Sequence, residues 1–262
     1  MPSDALYDDR PGPPAKKSKL PMILGIVFGS LLLACGGGAF GLYWLMESTK
    51  EKLSSNNMKQ IGLAIHNYHD TNGALPDDVR GRDGKPLLSW RVRLLPYLEE
   101  DRLFRQFNFE EAWDGPTNRP LLNYLPRVYA TAAQRQGRAT VGTKTYYQSF
   151  AAPGSVMAPP PQAPPGVAFA KVGHQSLATV TDGLSNTLFV VEAADPVEWT
   201  KPGDVMWDAG QPVPAFGADR GGSTFLALFG DARVTPVKKS VSPDQLKAVI
   251  TVAGREPATP LP

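Results

Sequence analysis

The 262-residue chain has one cysteine, Cys35, so no intrachain disulfide can form and the fold must hold through packing. Dithiol redox chemistry is excluded with it. Net charge is also scarce: the formal total is +2, and setting aside the four basic and three acidic residues among the first 46 leaves 23 basic against 22 acidic. A surface this close to neutral lacks the concentrated basic field that phosphate backbones require, so nucleic acid is not an expected partner. There is no Walker-type loop, no dinucleotide fingerprint and no internal repeat. Gly36-Gly37-Gly38 lies among apolar residues, where no phosphate would bind.

What the chain does have is a run of 27 residues, 20–46, without a charged side chain, preceded by Lys16, Lys17 and Lys19. At a helical rise of about 1.5 Å per residue such a run reaches roughly 40 Å, enough to cross a hydrocarbon core of about 30 Å. The basic flank predicts a cytoplasmic N-terminus and a single pass through the cytoplasmic membrane. Asp4, Asp8 and Asp9 before the run, and Glu47, Lys50, Glu51 and Lys52 after it, make that bias modest. The run is too long for a secretory signal peptide. Leu32-Leu33-Ala34-Cys35 resembles a bacterial lipoprotein processing box that would make Cys35 the lipidated terminus. Against it stand the bulk of Leu33 and the second apolar segment at 39–46, whose Tyr43 and Trp44 suit the outer interface of a spanning helix. Gly37 and Gly41 have the spacing that lets transmembrane helices pack closely, so the bilayer and self-association through this helix are expected partners.

Residues 1–19, with four prolines and little apolar content, are expected to be a disordered tail. Residues 47–254 then form one ectodomain, and 255–262 a flexible C-terminal tail. A proline-rich stretch at 152–166 reads as an extended surface loop that divides the ectodomain into unlike halves. In the first half, Leu53, Met58, Ile61, Ala64, Ile65 and Tyr68 recur at three- and four-residue steps, the spacing of one helical face, and Asn72-Gly73 stops the helix. Ser89 is placed to cap a helix starting at Trp90, which Pro96 must kink or divide. Further helices are expected over 99–107 and from Pro116. In the second half, 145–151, 167–172, 187–192, 223–229 and 232–237 are short runs rich in β-branched and aromatic residues between turn formers, with Gly230-Asp231 joining the last two. Ser242, Pro243 and Gln245 form a capping box ahead of Leu246, Val249 and Ile250, in a helix ended by Gly254.

Four stretches, 57–70, 89–99, 113–118 and 181–193, together with their spacing, resemble the bacterial family catalogued as domain of unknown function 1559, whose members are related to the pseudopilins of type II secretion. The resemblance implies an α+β, pilin-like fold in which a long N-terminal transmembrane helix continues into a helix packed on an antiparallel sheet. The apolar face of 53–68 independently demands a sheet or helices to cover it. Two departures from the family pattern are visible. The prepilin processing site, a glycine followed by Phe-Thr-Leu-Ile-Glu, does not precede residue 20. The closing motif, usually His, paired Gly and then Asp-Gly, reads Asp219-Arg220-Gly221-Gly222 and later Gly230-Asp231-Ala232, without its histidine.

Several side chains invite a chemical reading beside a plainer one. His66, His69 and Asp70 share a helical face at metal-ligand spacing, with His174 far away in sequence as a third ligand only folding could bring in, but a helix end whose polar groups face solvent or cap the turn at Asn72-Gly73 is the preferred reading. Asp182-Gly-Leu-Ser-Asn186 places Ser185 near Asp182, yet lacks the flanking glycines of a nucleophile elbow and reads as a turn. Trp113-Asp-Gly-Pro-Thr-Asn118 could furnish a sugar site, or Asp114 could cap a helix at Pro116 with Trp113 packed beneath. Glu192, expected at a strand end, and 199–202 are of the same kind. The resulting expectation is a non-enzymatic envelope protein without metal or cofactor that scaffolds, assembles or recognises, possible partners being other envelope proteins met through loops at 152–166 and 198–220. The alternative is an envelope enzyme, or a carbohydrate or metal binder, with a pocket around His66, His69, Trp113 and Glu192.

Overall fold

A computed structural model describes residues 49–135, 142–151, 154–157, 175–208, 210–217 and 222–253. The chain divides into two units, Met1–Ser48 and Thr49–Pro262. The first lies outside the described residues, as do the run 20–46, Cys35, His174, Gly254, the expected strand 167–172 and most of 152–166. Among the described residues no helix is long and apolar enough to cross a membrane.

The second unit is built on helix α1, residues 49–72, whose Met58, Ile61, Ala64 and Ile65 are buried to 1% exposure or less. That is the face expected from the spacing. Gly73, with φ of +70°, ends the helix by donating its N–H to the His69 carbonyl, a left-handed C-terminal cap open to glycine.

α1 covers one face of a four-stranded antiparallel sheet in the order β3 (Lys144–Gln148), β4 (Leu188–Glu198), β5 (Thr224–Phe229), β6 (Val234–Lys238). Strand β5 shows why both faces are apolar. Leu226 and Leu228 join the core shared with α1, while Phe225, Ala227 and Phe229 join a second core with Leu246, Val249 and Ile250. Those last three belong to α5, Pro243–Ile250, which carries the expected capping box between Ser242 and Gln245. The sheet is thus a middle layer, and a strand buried on both sides loses the polar alternation of a half-exposed one. The architecture is α+β.

A short hairpin pairs β1 (Val79–Arg80) with β2 (Pro86–Leu88). It leads to α2, Trp90–Arg93, capped by Ser89 Oγ as expected. Pro96 does divide the segment: a 3-10 turn at Leu95–Leu98 follows and ends on Glu99 with φ of +62°. Two expected helices shrink. The one at 99–107 is a single turn, α3, at Asp101–Phe104, and no helix starts at Pro116, where a 3-10 turn begins instead at Arg119–Asn123. A last single turn, α4, covers Ala132–Arg135.

Strand β4 runs past its expected end at 192 to Glu198 because a bulge absorbs the intervening residues. Tyr147 lies opposite Glu192 and Thr145 opposite Val197, so Pro196 falls where no ladder bond is needed. Pro236 is tolerated in β6 because that strand is an edge. Within 198–217, part of the 198–220 segment expected to offer variable surface, Trp199, Thr200, Trp207 and Phe216 are buried and Phe216 stacks on Phe225 at 4.4 Å, while Lys201, Met206, Asp208 and Gln211 are exposed.

α1 approaches the β5–β6 hairpin closely at Gly62. A Cβ there would lie 2.9 Å from Leu228 Cδ1 and 3.3 Å from the Ala232 backbone. Both neighbours sit in the core or in a turn with φ of +62°, so neither yields readily. Gly62→Val is expected to destabilise the domain by about 1–3 kcal/mol, the usual cost of overpacking. Urea unfolding would test it, and an unchanged midpoint would show that the helix stands off the hairpin.

Candidate functional site

A densely interconnected polar group among the described residues surrounds Arg91. Its side chain is fully buried and its partner Asp204 is 4% exposed, with Nη2 to Oδ1 at 2.7 Å. The guanidinium also donates from Nε and Nη2 to the Tyr147 carbonyl at 3.0 and 2.9 Å, and from Nη1 to Ser89 Oγ at 2.7 Å. Asp204 in turn accepts the Ser149 N–H and the Trp90 indole N–H, both at 2.9 Å. Tyr129 closes the far side by donating its hydroxyl to the Arg91 carbonyl at 2.8 Å, and burial raises its pKa.

Asp78 adds a second carboxylate to the same tryptophan. It accepts the Trp90 backbone N–H at 3.0 Å, while Asp204 holds the indole. Burial, reinforced by the charge on Asp204, pushes the Asp78 carboxyl up to about 7. Arg91 and Arg80 act in the opposite direction but do not cancel the effect. A buried carboxyl that titrates near neutrality is a signature shared by catalytic sites and structural ion pairs. Here Asp204 spends its oxygens on Arg91, Trp90 and Ser149, and the group joins α2, β3 and the segment after β4. Its arrangement is that of a structural joint.

The residues singled out from sequence are dispersed. His66 Nε2 donates to the Gly230 carbonyl at 2.7 Å, pinning α1 to the β5–β6 turn. His69 Nδ1 lies 3.6 Å from Asp70 Oδ1. Among the described residues no group of three or more His, Cys, Asp or Glu could hold a metal ion. Trp113 donates its backbone N–H to the Leu87 carbonyl, and Lys201 Nζ lies 5.4 Å over its ring. Glu192 is not at a strand end: it is fully buried within β4, with Oε2 accepting the Leu226 N–H at 3.4 Å. Trp199 is a core residue, stacked on Tyr129 and donating to the Leu122 carbonyl.

Two loop readings come out differently. The 182–186 stretch is the expected turn: Gly183 has φ of +91°, Asn186 Nδ2 donates to the Asp182 carbonyl, and Arg233 reaches the Ser185 carbonyl. In 113–118 the organising residues are Asn118 and Glu111 rather than a cap from Asp114. Asn118 is fully buried, accepts the Asn108 N–H and donates to the carbonyls of Asn108, Glu111 and Ala112. Glu111 Oε1 accepts the N–H groups of Thr117 and Asn118. Beside this knot an open cavity of about 410 Å³ is lined by Pro116, Arg119, Pro120, Leu122, Asn123 and Thr143.

A family model described as a protein of unknown function, DUF1559, matches residues 52–240. The chain belongs to the DUF1559 family. No curated protein and no solved structure matches it significantly. The match spans α1 from residue 52 onward, the Arg91 joint and the whole four-stranded sheet. Arg91 sits inside the 89–99 stretch that carried the resemblance, but neither it nor the neighbouring Arg93 in the four-residue helix gave a signal of the Arg91 partner 113 residues away.

The sign of the Asp78 effect follows from its raised pKa. Between its ordinary value of 3.8 and about 7, the unfolded chain releases this proton while the folded domain keeps it. The stability contributed by Asp78 is therefore complete below about pH 4, lost as the pH rises to about 7, and flat above, with a limiting slope of about 1.4 kcal/mol per unit. Asp78→Asn keeps an acceptor for Trp90 and should remove this component. Denaturant unfolding at several pH values should show wild type losing stability relative to the variant across that window, and parallel curves would contradict the assignment.

Proposed function

We propose that the protein is a non-enzymatic, membrane-anchored DUF1559 protein with a pilin-like domain held outside the cytoplasmic membrane, where it scaffolds, assembles or recognises. The observation that carries this reading is the sequence position of α1. The uncharged run ends at residue 46 and the described helix begins at 49, so no long linker intervenes. Helix α1 is also the element on which the α1-facing core is built, so a bilayer that holds the run holds the domain through its central helix. An amphipathic helix covering an antiparallel sheet is the arrangement that the pilin-like reading requires. The Arg91–Asp204 group beneath is engaged in structural bonds, which favours recognition by surface loops over chemistry at that buried site.

The anchor is tested by fractionation of the full-length chain. It should sediment with membranes, resist extraction by salt and alkaline carbonate, and be released by detergent, with an intact mass matching the unprocessed chain. A full-length product that stays in solution after cell breakage would overturn the proposal. A mass corresponding to cleavage before Cys35 would replace the spanning helix with a lipid anchor.

A further inference from the structure

We propose that the open cavity beside the 113–118 knot is a binding site for a small organic acid, a single carboxylate carried on a compact apolar body. The site lies wholly within the folded unit, Thr49–Pro262, and does not depend on the membrane anchor. Its volume of about 410 Å³ falls in the range of small-molecule sites.

The walls are set before any ligand arrives. Trp199 is fully buried and packs against Phe107 and Tyr129. It donates its indole N–H to the Leu122 carbonyl at 3.1 Å and its main-chain N–H to the Thr143 carbonyl at 3.0 Å. One core residue thus ties together two of the chain segments that line the cavity. Pro116 is fixed by the knot. The Arg119 N–H closes on the Gly115 carbonyl at 2.8 Å, and Glu111 holds the N–H groups of Thr117 and Asn118. Glycine is required at 115, because a Cβ there would overlap the Glu111 carboxylate. A site fixed in this way loses little binding free energy to ordering.

The lining decides the chemistry of the ligand. Pro116, Pro120 and Leu122 supply apolar surface, Arg119, Asn123 and Thr143 supply polar groups, and none of the six is acidic. Among the described residues neither the Arg119 guanidinium nor the Thr143 hydroxyl has a hydrogen-bond partner. Asn123 spends one amide hydrogen on the Pro120 carbonyl at 3.3 Å and keeps the other. Glu111, the acid of the adjoining knot, is engaged by Thr117, Asn118 and Asn108, while Asp114 and Lys144, which flank the lining in sequence, carry opposite charges. A planar guanidinium pairs with a carboxylate through two parallel bonds, and one cation matches one negative charge, whereas a phosphate monoester brings nearly two. A neutral sugar fits less well: no aromatic ring lines the cavity, and Trp113 has Lys201 over its ring instead.

The test titrates the full chain in nanodiscs against 4-fluorobenzoate, reading the fluorine NMR linewidth of the probe and subtracting empty discs. Broadening should saturate. The neutral isostere 4-fluorobenzamide should bind weaker by about tenfold or more, the discrimination carried by hydrogen bonds to a charged group. Arg119→Gln should weaken the acid by the same factor and leave the amide unchanged; because that guanidinium bonds nothing among the described residues, the variant should unfold at the wild-type urea midpoint. Thr143→Val, which removes a hydroxyl but keeps the shape, should also weaken the acid more than the amide. Inorganic phosphate at equal concentration should not displace the probe. Absence of saturable broadening, equal binding of acid and amide, unchanged affinity in folded Arg119→Gln, or displacement by equal phosphate would each overturn the site. None of these outcomes bears on the anchor, which fractionation tests separately.

Discussion

The domain depends on one buried ion pair being completely satisfied. Removing a guanidinium and a carboxylate from water costs several kcal/mol each, and their attraction offsets that only when the remaining hydrogen-bonding capacity is also met. Arg91 meets it with a main-chain carbonyl of β3, the Ser89 cap and Asp204, and Asp204 with Ser149 and the Trp90 indole. The pair therefore forms only when α2, the end of β3 and the chain beyond β4 are all in place. It fixes the relative position of segments that local propensity leaves free, since α2 is a single turn with no helical stability of its own.

The same constraint accounts for the character of Asp78. A second carboxylate on Trp90 is tolerated beside Asp204 because it keeps its proton to near neutrality, which avoids placing two negative charges against one fully buried cation. The joint and the α1 contact act on different parts of the same core. Gly62 and His66 seat the helix on the β5–β6 hairpin, and the Arg91 group ties down the long irregular chain between α1 and the sheet. Under the proposed anchoring, any force on α1 passes directly into the core.

Much of this was legible from periodicity. The buried face of α1, the paired strands at the C-terminal end and the capped α5 each announce themselves within a dozen residues, because local spacing decides which side chains share a face. The bulged extension of β4 was hidden because Asp195 and Pro196 interrupt the strand pattern, and only pairing with β3 reveals where they fit. The helices expected at 99–107 and Pro116 failed for a related reason. Apolar side chains there pack as single turns, and Asn118 and Glu111 satisfy the main-chain groups that a helix would otherwise satisfy. The Arg91–Asp204 joint was invisible, since no sequence pattern links an arginine to an aspartate in a Pro- and Gly-containing segment far along the chain. The role of His66 was equally hidden: its spacing to His69 and Asp70 is local, whereas the Gly230 carbonyl that engages it lies in a turn distant in sequence.

The most direct test is a double-mutant cycle on Arg91→Met and Asp204→Leu, read by denaturant unfolding at one pH. Each single change should cost about 3–5 kcal/mol, because it leaves the other charge buried and unpaired, and the double variant should cost no more than either alone. Single effects that simply add would contradict the account, since the two residues would then stabilise the domain independently and the buried pair would not be its organising constraint.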